Sequence, residues 1–98
     1  MGVIARINVN RIEITMNKII ELSSKISFLQ EELVHLDAQL ESNKSFFSSG
    51  VLSKQAFQGN KKNFERKIKE ISREINADSK VLLKLSKEAK KNLRFNKL

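Results

Sequence analysis

The only stretch of this chain that looks catalytic is Glu32-Leu33-Val34-His35. A carboxylate and an imidazole three residues apart on a helix are the ligand set of carboxylate-bridged di-iron bundles, and two copies of the chain would supply it twice. Such ligands must converge inside a bundle. Leu33 and Leu36 belong to the apolar column described below, which sets Glu32 at the edge of that column and His35 outside it. A solvated histidine is therefore expected, with no metal. His35 is the only histidine and there is no cysteine, so no serine gains specific support as a nucleophile, and cysteine nucleophiles, tetrahedral zinc sites and disulfide frameworks are excluded or nearly so. Gly2, Gly50 and Gly59 are isolated and make no phosphate-cradling loop. The expectation is a protein that is not an enzyme, with no cofactor and no small-molecule substrate.

The strongest chemical pattern is cationic. Lys62, Arg66, Lys69 and Arg73 follow one another at four, three and four residues, and Lys80, Lys84, Lys87, Lys91 and Arg94 continue with the same steps. On a helix this spacing gathers side chains on one face. From position 62 to 94 it would draw a stripe roughly 48 Å long at the rise of an α-helix. The imbalance is local, since residues 1–50 carry 5 basic and 6 acidic side chains, whereas residues 51–98 carry 14 and 5. Within residues 80–98 Glu88 is the only acid among seven bases. A single-sign face of this kind suits a polyanion, while solubility alone is the simpler reading of the same lysines. Two polyanions stay open. Nucleic acid would be held through phosphates without sequence readout, because there is no tyrosine or tryptophan to stack on bases. An anionic membrane suits the last stretch, where Leu82, Leu83, Leu85, Ala89, Leu93, Phe95 and Leu98 interleave with lysines as in an interfacial segment.

Long helices must carry these residues. The chain has 98 residues, no proline and three glycines, too little turn chemistry for an all-β domain. Ile12, Ile19, Ile26, Leu33, Leu40 and Phe47 form a seven-residue apolar column, and Thr15, Leu22, Leu29, Leu36 and Asn43 form a second, three residues later. Alternating steps of three and four are a coiled-coil seam. Phe57, Phe64, Ile71, Asp78, Leu85 and Asn92, with Lys61, Ile68, Ile75, Leu82 and Ala89, repeat the pattern in the second half. Asn10 with Glu13 reads as a capping pair, so the first helix is expected over about 10–48, with 1–10 open between helix and strand. Gly50 is placed to end it and Ser53 to cap the next, giving a tip at 49–53 and a second helix over about 54–94, with Gly59 a weak point and Asn60 an alternative cap. A short link between long helices predicts an antiparallel hairpin. In that register Asp78 falls opposite Leu22 to Ile26, where Ser23 or Lys25 would satisfy it.

A hairpin of one seam leaves Met16, Ile20, Phe28, Val34, Leu83 and Leu93 off the seam and in need of cover. The expected architecture is an all-α two-helix coiled-coil hairpin over residues 1–98 that dimerises into a four-helix bundle or a larger assembly. Arg6, Asn8, Asn10 and Arg11 interrupt the apolar start before a secretion signal forms, and Arg at position 6 breaks the myristoylation pattern behind Gly2. The expected location is cytoplasmic, or peripheral at the inner face of the membrane. Asn43-Lys44-Ser45 matches a glycosylation acceptor.

The tip Gly50-Val51-Leu52-Ser53-Lys54-Gln55-Ala56-Phe57, followed by Phe64 and Ile68, resembles the Gly-x-Ile-Ser-x-x-x-Tyr elbow of archaeal helical-hairpin proteins, including the coiled-coil segment of CdvA-type cell-division scaffolds. The resemblance covers some twenty residues and implies a polymerising or membrane-recruiting scaffold. Together these readings predict a self-associating scaffold or adaptor whose basic second helix meets an anionic membrane or an acidic protein, with sequence-nonspecific nucleic-acid binding as the alternative.

Overall fold

The computed structural model describes the backbone of residues 2–97 and the side chains of residues 11–92. Two helices, α1 over Gly2–Ser48 and α2 over Lys54–Lys97, form a helical hairpin, and no strand occurs among the described residues. α1 begins at Gly2 rather than near Asn10, so Asn10 and Glu13 lie inside the helix and do not cap it. The cause is cooperativity: extending a formed helix adds a hydrogen bond for each residue fixed, and residues 3–9 contain no glycine or proline to stop it. For the same reason α2 runs to Lys97, past the expected 94.

The turn follows from two residues. Gly50 takes φ of 79°, where a Cβ is costly. With Gly50 in this conformation its N–H donates to the Phe47 carbonyl at 3.1 Å and the Val51 N–H to the Phe46 carbonyl at 2.9 Å, the paired bonds of a Schellman motif. Ser53 then caps α2. Its Oγ accepts from the Ala56 N–H at 3.1 Å, and its carbonyl accepts the first helical bond from the Phe57 N–H at 2.9 Å. α2 continues unbroken through Gly59, so Asn60 is an interior residue and not a second cap.

The chain divides into two compact units. The tip unit, residues 27–76, holds the tightest packing: Leu29 and Leu36 of α1 are 6% and 8% exposed, and Asn43 is 4% exposed. Leu33 and Leu40 flank them, with Phe57, Phe64, Ile68, Ile71 and Ile75 of α2 half-buried. The Phe47 ring stacks on Phe57 with centroids 4.4 Å apart. One seam position differs from the expected column. Lys61 is exposed and Asn60 is half-buried in its stead, because Asn60 Nδ2 donates to Asn43 Oδ1 at 3.1 Å while Lys61 turns outward to Glu65 at 4.0 Å. Asn43 Nδ2 in turn donates to the Phe57 carbonyl at 3.1 Å, which leaves this amide inaccessible as a glycosylation acceptor.

The second unit joins residues 1–26 to residues 77–98. Its described seam consists of Ile12, Thr15, Ile19, Leu22 and Ile26 from α1 and Asp78, Leu82, Leu85, Ala89 and Asn92 from α2. Thr15 is buried and the others are half-buried. Asp78 lies 3.0 Å from Lys25 through Oδ2 and Nζ, one of the two partners, Ser23 and Lys25, expected from the hairpin register.

Candidate functional site

The heptad of α2 fixes where its cations point. With the seam at the a and d positions, Lys62 and Lys69 fall at b, Arg66 and Arg73 at f, Lys80 and Lys87 at f, and Lys84 and Lys91 at c. All are on the side away from the seam. In the tip unit Lys62, Arg66, Lys69 and Arg73 are exposed, and in the second unit so are Lys80, Lys84, Lys87 and Lys91. None of these eight is held in an ion pair among the described residues. Arg94 and Leu93 have side chains outside the described residues. The α2 acids sit elsewhere: Glu65, Glu74 and Glu88 occupy positions flanking the seam, and Asp78 is in it. Glu70 alone reaches an outer position, at c. Separating the signs in this way leaves several unopposed cations close together, which raises the local potential and attracts polyanions.

The apolar residues off the seam are also exposed, as their spacing predicts. Met16, Ile20 and Leu83 are exposed in one unit, and Phe28 and Val34 in the other. Ile14 and Val81 join them, although only Met16 and Leu83, two positions away from each, stand out in the sequence. α1 thus carries apolar side chains on its outer side as well as in its seam, whereas the outer side of α2 is chiefly cationic.

Glu32 and His35 border a shallow groove with Leu36, Gln39, Lys67 and Ile71. Glu32 is half-buried and His35 exposed, as their place beside the leucine column requires. Among the described residues no three His, Cys, Asp or Glu side chains come together in a way that would hold a metal. No described helix is long and apolar enough to cross a membrane. The polar group that the sequence reading passed over is the Asn43–Asn60 pair. Its signal was present, since Asn43 is the one amide in the second α1 column, beyond four residues of which three are leucines.

No protein-family model, no curated protein and no solved structure matches this chain. Its own side chains must therefore carry the functional reading.

Proposed function

We propose that the chain is a non-enzymatic, self-associating coiled-coil scaffold or adaptor whose basic second helix contacts an anionic surface, either a membrane or an acidic protein. The observation that carries this reading is the set of eight exposed α2 cations without an ion-pair partner among the described residues. Cations serving only solubility are commonly interspersed with acids, but here the b and f positions of α2 carry no acid at all.

Self-association is supported by exposed apolar area. Among the described residues only Leu29 and Leu36 are buried apolar side chains, while Ile20, Phe28 and Val34 remain exposed. Covering them with a second copy, in a four-helix bundle or a larger stack, removes apolar surface from water at about 25 cal/mol per Å².

The test is co-sedimentation with anionic liposomes beside DNA and RNA mobility shifts, each across a salt series. Retention on liposomes with weak nucleic-acid shifts is the expected result. Strong shifts without liposome retention would replace this reading with nonspecific nucleic-acid binding.

A further inference from the structure

The hairpin tip presents a second surface. Phe46, Phe47 and Val51 are exposed there, Val51 at 71%, although Phe47 also stacks on Phe57. The N–H groups of Ser49, Gly50, Val51 and Leu52 all find acceptors within the turn. The Phe46 carbonyl accepts from the Val51 N–H at 2.9 Å, the Leu52 N–H at 3.2 Å and the Ser49 hydroxyl at 3.2 Å. The Phe47 carbonyl accepts from the Gly50 N–H at 3.1 Å, and the Ser45 carbonyl from the Ser49 N–H at 3.0 Å. N–H groups already paired lower the cost of bringing the turn into the interfacial layer, where water and headgroups still reach the turn carbonyls. The turn is also held in place, by the Phe47–Phe57 stack and by the Asn43 bond to Phe57, so little ordering is needed on contact.

Charge supplies the other half. From Ser42 to Phe64 there is no aspartate or glutamate, and that stretch carries Lys44, Lys54, Lys61 and Lys62. Lys44 leans on Glu41 at 3.6 Å and Lys61 on Glu65 at 4.0 Å, both carboxylates lying just outside the stretch. Such exposed pairs are weak and yield to a denser anionic surface. Projecting apolar side chains flanked by lysines, on a turn whose N–H groups are paired, match an interface with apolar depth beneath a layer of negative charge.

We propose that the tip is a lipid-contact site, in which Phe46, Phe47 and Val51 enter the interfacial layer of an anionic bilayer while the flanking lysines meet headgroup phosphates. This deepens the anionic-surface reading and rests on it for the sign of the partner, and it adds an apolar contact at the turn to whatever α2 contributes. A bilayer is favoured over a protein because it deforms around a projecting turn, whereas a protein would need a matching cavity.

The chain has no tryptophan, so Val51→Trp gives a single emission signal at an exposed position. Adding phosphatidylcholine vesicles that contain phosphatidylserine should shift that emission to the blue, and bromine on the acyl chains should quench it. Phe46→Ser with Val51→Ser should lower retention on these vesicles at least about tenfold, with helicity by circular dichroism unchanged. An unshifted emission, whether or not the protein sediments with vesicles, overturns the proposal. So does a blue shift that follows protein concentration in the absence of lipid, which would mean that a second copy covers the tip. Replacing Lys80, Lys84 and Lys87 with glutamine separates the two readings. Retention insensitive to that change but lost in the Phe46/Val51 variant leaves the tip site standing without the α2 face.

Discussion

Asp78 Oδ2 lies 3.0 Å from Lys25 Nζ, yet the two atoms are not aligned for a hydrogen bond, so charge alone binds them. The acid occupies a seam position and is 15% exposed at its side chain, while Lys25 is 47% exposed. Removing the acid therefore leaves a cation that water can still solvate. Replacing a seam acid with leucine should raise stability by about 1–2 kcal/mol, since the desolvation cost disappears and an apolar contact is gained. Thermal unfolding of Asp78→Leu followed by circular dichroism checks this. The reverse variant, Lys25→Ala, strands the less exposed partner and should lower the melting temperature. A loss in both variants would show that the pair contributes more than its geometry indicates.

The Asn43–Asn60 bond is a different kind of polar seam contact. Asn43 uses both ends of its amide, donating to the Phe57 carbonyl and accepting from Asn60 Nδ2, each at 3.1 Å. Asn43→Ala should cost about 1–3 kcal/mol, because it deletes two bonds and opens space at a buried position. Asn60→Ala should cost less, since Asn60 is only half-buried. A double-mutant cycle by urea unfolding should give a coupling of about 1 kcal/mol.

Gly50 and Gly59 should respond in opposite directions. At Gly59 an added Cβ meets nothing within 4 Å, and the residue sits inside α2, so Gly59→Ala should stabilise by about 1 kcal/mol through helix propensity. Gly50 also has open space around it but holds φ at 79°, and Gly50→Ala should destabilise by about 1–2 kcal/mol. Equal effects of the two substitutions would contradict the assignment of Gly50 as the helix-ending residue.

Much of the hairpin was legible because period and punctuation are local properties. Leu29 and Leu36 are the most buried apolar residues among those described, at positions a seven-residue count alone picks out, and Gly50 and Ser53 end one helix and begin the next where their chemistry suits. Asp78 meeting one of Ser23 and Lys25 followed from the same arithmetic. What escaped were choices between near-equal options. Asn10 and Asn60 are good caps only where a helix begins, and cooperativity carries both helices through them. Lys61 and Asn60 are adjacent candidates for one seam position, decided by the Asn43 amide across the hairpin, a partner visible only after folding. The cationic face was readable as a pattern, because exposure of b, c and f positions follows from the seam. Which polyanion such a face would suit was not, since a phosphate looks the same to a lysine on lipid and on nucleic acid.

Ile20 and Phe28 lie off the seam and are more than half exposed. Sedimentation equilibrium at micromolar concentration should give a dimer or larger species. Ile20→Lys with Phe28→Lys should shift it toward monomer with little loss of helix per chain, because neither residue is part of the intrachain seam. A well-folded wild-type monomer would remove self-association from the functional reading.

Lys80, Lys84 and Lys87 are exposed on outer positions of α2, so glutamine at all three removes charge while keeping helix propensity and disturbing no seam contact. If these lysines grip phosphates or headgroups by charge, the triple variant should bind anionic liposomes about 10- to 100-fold more weakly, at roughly 1 kcal/mol for each lysine near the surface and less where screened. Its dependence on salt should be shallower than that of the wild type, since fewer counterions are displaced. Leu93→Ser with Phe95→Ser separates the classes of surface further. Membrane binding has an apolar part that these changes weaken, whereas a purely electrostatic contact with nucleic acid should scarcely change. Wild-type affinity of the triple variant for liposomes, DNA and RNA alike would make the α2 cations a solvated face and nothing more.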